Sequence, residues 1–195
     1  MRSKSVLLCI CTALCAMPSA RADVVALPPH EKTFRSAFGS FTVGNRDETI
    51  SRILPLNQAG FTRESLVGAT AYARINGAAS GVLKTGYHVG CAADFHTGTA
   101  GVTSALPLGV GPNPGLSLDP GPVATVNIGP GEVKEVAVAE KQIQANAEGT
   151  IIVRDFHIIV NECVGPVAVR QFTYLYVKSP SVDDNGAVFG NPQVL

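Results

Sequence analysis

The chain has 195 residues, with 15 basic and 15 acidic side chains, 46% hydrophobic residues and only 15% charged ones. A balance without basic excess excludes a nucleic-acid partner, which needs a positive footprint. Gly and Pro are frequent, at 20 and 13 residues, but Val and Ile run throughout, so the composition is that of a folded chain of about one domain.

Residues 1–22 read as a signal peptide. Arg2 and Lys4 form a positive start, Val6 to Met17 is an apolar run too short to span a bilayer, and Ala20-Arg21-Ala22 is a cleavage site of small residues. Its removal takes Arg2, Lys4 and Arg21 and no acid. The mature chain then carries 12 basic and 15 acidic residues, a net charge of −3. An exported protein is expected. Cys9, Cys11 and Cys15 leave with the peptide, so Cys91 and Cys163 remain, and two cysteines in an exported chain most simply pair.

The mature sequence predicts almost continuous strand. Lys32 to Val43 is rich in Thr and Phe. A helical turn is expected at Phe61 to Leu66, with Thr62 as its cap. Leu66 to Ile75 alternates, with Val67, Ala69, Ala71, Ala73 and Ile75 on one face. Val82 to Phe95 puts Leu83, Tyr87, Val89, Cys91, Ala93 and Phe95 on one face. Val133 to Ile143, Thr150 to Cys163 and Val167 to Lys178 complete the strands, and Asp183 to Leu195 reads as a polar tail. Turn dipeptides at Asn76-Gly77, Ser80-Gly81, Glu148-Gly149 and Gly165-Pro166 suit an antiparallel β-sandwich.

The stretch 97–130 differs from the rest. Between Asp94 and Glu132 the only charged residue is Asp119. Val102, Leu106, Leu108 and Val110 fall on even positions, and so do Leu116, Leu118, Ala124, Val126 and Ile128. Thr103, Ser117, Asp119, Thr125 and Asn127 fall on odd ones. Gly111-Pro112-Asn113-Pro114-Gly115 is a turn between the two runs. The result is a β-hairpin with one apolar and one small polar face. It reads either as a stave between lipid and water or as a soluble hairpin.

Four segments carry a family resemblance. They are Ile53-Leu54-Pro55-Leu56-Asn57 with Phe61-Thr62-Arg63-Glu64; Gly81-Val82-Leu83-Lys84-Thr85-Gly86-Tyr87-His88-Val89-Gly90; Gly129-Pro130-Gly131-Glu132-Val133-Lys134-Glu135-Val136-Ala137; and Gly165-Pro166-Val167-Ala168-Val169-Arg170-Gln171-Phe172. In this order they resemble the MspA-like porins of the mycobacterial type of outer membrane. The resemblance implies a β-sandwich rim, residues 23–96 and 131–195, and a hairpin stem, residues 97–130, that joins seven others in a barrel around an aqueous channel. It implies a porin for small hydrophilic solutes, in an outer, mycolate-type membrane, assembled as a cyclic octamer with lipid as its surroundings. No cofactor and no enzymatic activity are implied. Physics points the same way: a lone hairpin in lipid leaves two rows of unpaired backbone groups, and only ring closure removes them.

Thr103, Ser117, Asp119, Thr125 and Asn127 are then the pore-lining candidates. The family's adjacent aspartate pair has no counterpart here, so Asp119 is the one carboxylate available to form a ring. Pro107, Pro120 and Pro122 interrupt the runs, and Val102 to Val110 spans only about 20 Å when tilted, against an apolar band of about 25 Å. The alternative is an exported or cell-surface β-sandwich that binds or assembles without a pore. His88, Cys91, Asp94 and His96 lie close in sequence but match no closed metal site. Asp155 and His157 lack a nucleophile signature. Glu132, Glu135, Glu140 and Glu148 read as a solvated face, or as the wall of a vestibule.

Overall fold

A computed structural model describes residues 24–58, 60–92 and 122–195. Among these residues every regular element is a strand. In order they are β1 (Val24–Leu27), β2 (His30–Ser36), β3 (Gly39–Ile53), β4 (Arg63–Gly77), β5 (Ser80–Cys91), β6 (Val123–Asn127), β7 (Val133–Ile143), β8 (Glu148–Asn161), β9 (Val167–Lys178), β10 (Asp183–Phe189) and β11 (Gln193–Val194). One sheet runs β1-β3-β4-β8-β6, with β2 also on β3; the other runs β10-β9-β5-β7, with β11 also on β9.

The two sheets pack face to face through alternating side chains. From β4, Val67, Ala69, Ala71, Ala73 and Ile75 are all buried, as the alternation predicts. From β5, Leu83, Tyr87, Val89 and Cys91 meet them. Two apolar clusters form. Phe41, Val43, Ile75, Leu83 and Leu175 fill one end, and Ile50, Val89, Ile128, Ile158, Val160 and Val169 fill the other.

Three expectations are corrected. Lys32 to Val43 is not one strand but the β2–β3 hairpin, which turns at Ala37-Phe38. The turn expected at Phe61 to Leu66 is not helical: Arg63 already opens β4, and Thr62 donates to Asn161 Oδ1 at 3.1 Å instead of capping. Asp183 to Leu195 is no loose tail, because β10 and β11 both pair with β9 and extend the sheet. Polar composition misled there, since β10 is an edge strand with one solvated face.

Between the two apolar clusters lies a buried polar belt. Gln171 Nε2 donates to Thr85 Oγ1 (2.9 Å), Thr173 Oγ1 (2.7 Å) and the Phe172 carbonyl (2.8 Å), and Asn45 Nδ2 donates to Gln171 Oε1. A bulge brings Glu48 into this belt. On β3, Phe41, Val43 and Asn45 point inward at odd positions. The register with β4 then breaks between Arg46 and Thr49, Asp47 takes a left-handed φ of 54°, and Glu48 and Ile50 point inward at even ones. Glu48 is fully buried, and its carboxylate makes no well-formed hydrogen bond, the Gln171 main chain being the one donor that acts on it. Gly190 leaves the space for it, since a Cβ there would lie 2.2 Å from Glu48 Oε2. Tyr87, whose hydroxyl is also buried without a partner, has its pKa pushed up by burial and by Glu48.

Burial pushes Glu48 up to about 7 from 4.5, with only the Gln171 main chain acting against it. The folded value lies above the unfolded one, so the unfolded chain gives up this proton first. This group's contribution to stability therefore falls as pH rises from 4.5 to about 7 and stays low above it. Glu48→Gln should raise stability at pH 8 by up to roughly 3 kcal/mol and leave it unchanged near pH 4. Urea midpoints at the two pH values check this; equal offsets at both would contradict it.

Candidate functional site

The described residues stop at Ala92, at the end of β5, and resume at Pro122, beside β8. Several ties converge beside Ala92. Cys91 and Cys163 form a disulfide with Cα atoms 5.8 Å apart, joining the end of β5 in one sheet to the segment just past β8 in the other. The Cys91 amide donates to the Glu132 carbonyl (3.0 Å), and the Gly131 amide to the Cys91 carbonyl (2.8 Å). The Ala92 amide donates to the Pro166 carbonyl at 2.9 Å. Gly131 has φ of 81°, the left-handed conformation that lets the chain reverse from β6 into β7. The disulfide expected from two cysteines is thus the crosslink at the exit.

The return is held differently. The His157 amide donates to the Pro122 carbonyl at 2.7 Å, and β6 then runs parallel to β8, from Val123 beside His157 to Asn127 beside Asn161. Val126 and Ile128 are buried in the core. The re-entering chain therefore joins the sheet partway along β8 and runs to the same end at which β5 leaves. His157 Nε2 lies 2.9 Å from Glu64 Oε2, and Glu64 Oε1 accepts from the Leu56 amide at 3.3 Å. Beside these contacts, Asn57 Nδ2 donates to Thr62 Oγ1 (3.1 Å), Thr62 Oγ1 to Asn161 Oδ1 (3.1 Å), and Asn161 Nδ2 to Asn127 Oδ1 (3.4 Å). This relay crosses the loop before β4, β8 and β6 in turn. Residue types alone did not single out Glu64 and Asn161; the Thr62-Arg63-Glu64 segment was the one signal that pointed to the spot.

Thr125 and Asn127 sit exposed on β6. Val123–Asn127, grouped above with the second hairpin run, is a strand of the sandwich sheet. Thr103, Ser117 and Asp119 lie outside the described residues, as do Asp94 and His96. Among the described residues no three His, Cys, Asp or Glu side chains gather as a metal site.

His88 belongs to an aromatic group on the outer face of its sheet. Its ring stacks on Phe172 at 4.9 Å, with Tyr174 Oη 3.1 Å from Nε2. Phe172 is fully buried there because it lies over Gly86, where a Cβ would fall 2.8 Å from its ring. Arg170 Nη2 lies 3.5 Å from Nδ1 and can only donate, so Nδ1 accepts and the proton sits on Nε2. Burial and then Arg170 lower the His88 pKa and favour this neutral form.

The four glutamates read as a solvated face or vestibule wall are paired. Glu135 meets Lys84 at 2.8 Å, Glu140 meets it at 4.0 Å, Glu148 meets Arg74 at 2.8 Å, and Glu132 meets Lys134 at 3.8 Å. Asp155 has a φ of 48°, beside a second register break, and it shares no catalytic contact with His157, whose ring is engaged by Glu64.

An all-β sandwich is the rim that the family resemblance implies. The MspA family model matches residues 39–193. The chain belongs to the MspA family. No curated protein matches it. Proteins of the MspA family are oligomeric porins of an outer membrane, not enzymes, and membership gives porin-type channel function at the level of the family.

The crosslink closes a loop across a sequence separation of 72 residues, and losing it should lower stability by about 4 kcal/mol through the unfolded state. Cys91→Ala/Cys163→Ala should shift the denaturation midpoint accordingly. Mass spectrometry of the non-reduced native protein should show one linked Cys91–Cys163 peptide; two free thiols would refute the bond.

Proposed function

We propose that this chain is a porin subunit in which the residues between Ala92 and Pro122 form a hairpin stem, pooled with those of other copies into a closed barrel. The single observation that carries the reading is the family match over residues 39–193. Barrel closure follows from backbone chemistry, since unpaired strand edges in hydrocarbon cost several kcal/mol per group. Closure by identical hairpins makes the assembly a ring with head-to-tail contacts, an octamer in the family's pattern.

In this reading Thr103, Ser117 and Asp119 face the lumen, and Thr125 and Asn127 on β6 belong to the wall above it. The solutes are small and hydrophilic, and the channel needs no cofactor. Glutamates already paired with Lys84, Arg74 and Lys134 add little to the field, so Asp119 dominates selectivity as a ring of carboxylates. The protein is exported by its signal peptide and resides in an outer, mycolate-type membrane.

Proteoliposomes containing the detergent-extracted oligomer should leak small sugars and retain large dextrans. Retention of both would overturn the channel. Asp119→Asn should move the reversal potential in a salt gradient toward zero by removing cation preference; an unchanged potential would take Asp119 out of the constriction.

A further inference from the structure

The large apolar side chains left exposed among the described residues are unevenly distributed. Leu54 is 88% exposed, Leu56 92%, Phe61 61% and Val164 68%. All four lie at the end of the sandwich where the chain leaves it. Arg63, which opens β4, pairs with Val160 near the end of β8, and Cys163 is bonded to Cys91 at the end of β5. Val133 and Val194, also exposed, belong to the same end, through Gly90 and Ala168 respectively. The opposite end is built of the Ala37-Phe38, Ala78-Ala79, Gln144–Ala147 and Ser179–Val182 turns, and none of their residues is an exposed large apolar one. Val24, Val123, Ile152, Tyr176 and Phe189, the other exposed apolar residues among those described, lie on the strands themselves.

The loop that carries Leu54, Leu56 and Phe61 is fastened rather than loose. Glu64 accepts from the Leu56 amide, Arg63 donates to the Gly60 and Thr62 carbonyls at 2.7 and 3.1 Å, and the Asn57–Thr62–Asn161–Asn127 relay ties it to β6. Apolar tips are therefore held outward on a fixed base, and Arg52, Gln58 and Arg63 line the same surface hollow as Leu54 and Leu56. Apolar side chains at the tip with cations just behind them are the arrangement of a surface that enters the headgroup region of a bilayer.

We infer that Leu54, Leu56 and Phe61, with Val164 beside them, form a collar that seats the sandwich on the lipid surface around the root of the stem. The collar rests on the porin reading, because the stem sets which end of the sandwich meets the membrane. Its occupant is the lipid headgroup and upper acyl region. The alternative occupant, a second copy of the chain, is separated by the test.

The chain contains no tryptophan, so Leu56→Trp makes a single-tryptophan reporter at a nearly fully exposed position. Phe61→Trp is the second reporter, and Tyr176→Trp, at a position that pairs with Val82 toward the opposite end, is the control. Each variant oligomer is placed in phosphatidylcholine vesicles with and without lipid brominated high on its acyl chain. The collar predicts a blue-shifted emission for the Leu56→Trp and Phe61→Trp variants that arises only in vesicles, with intensity lowered roughly two-fold by the brominated lipid, and no change for the Tyr176→Trp control. Emission that stays water-like in vesicles would overturn the inference. So would a blue shift already complete in the detergent-free oligomer and insensitive to bromine, which would assign the loop to a contact between copies. Sugar leakage from the same vesicles reads the channel separately: quenching without leakage supports the collar and sinks the porin, and leakage without quenching does the reverse.

Discussion

The crosslink between Cys91 and Cys163 fixes the point on which the other features depend. It ties the last residue of β5 to the segment just past β8, so the two sheets cannot part at that end. The main-chain bonds of Cys91, Ala92 and Gly131 converge within the same few residues. The hairpin stem we propose would have to meet identical neighbours in register and would need a base that does not hinge. The disulfide, the parallel strand β6 and the side-chain relay through Thr62 and Asn161 would supply that base from three directions.

The same fold carries a cost in its middle. Glu48 enters the core because a bulge on β3 changes which parity points inward, and the belt that receives it satisfies Asn45, Gln171, Thr85 and Thr173 but not its carboxylate. A buried charge without a partner is expensive, so the group resists ionising. The sandwich tolerates it through two long apolar clusters on either side.

Much of the fold was legible because its strongest signal is alternation. β4, β5 and β9 fall where apolar residues recur on one parity, as in Val67 to Ile75, Leu83 to Cys91 and Val167 to Val177, and the pairing of Cys91 with Cys163 followed from the reading of an exported chain. What could not be read has specific causes. The bulges at Asp47 and Asp155 reverse the inward parity in mid-strand, so simple alternation neither places Glu48 in the core nor separates Asp155 from His157. The pairing of β6 with β8 joins residues far apart in sequence and is parallel, so no turn announces it, and Val123–Asn127 read as more of the hairpin. β10 is polar because it is an edge strand. At the candidate site, the resemblance marked Glu64 within a segment, but only its contacts with His157 and the Leu56 amide gave it a role.

Single-channel recording in planar bilayers tests the central claim most directly. The account predicts discrete, uniform conductance steps from the extracted oligomer, abolished when the residues between Ala92 and Pro122 are replaced by a short glycine-serine turn that leaves the Cys91–Cys163 bond intact. A native oligomer that yields no steps, or a stemless variant that still conducts, would contradict it.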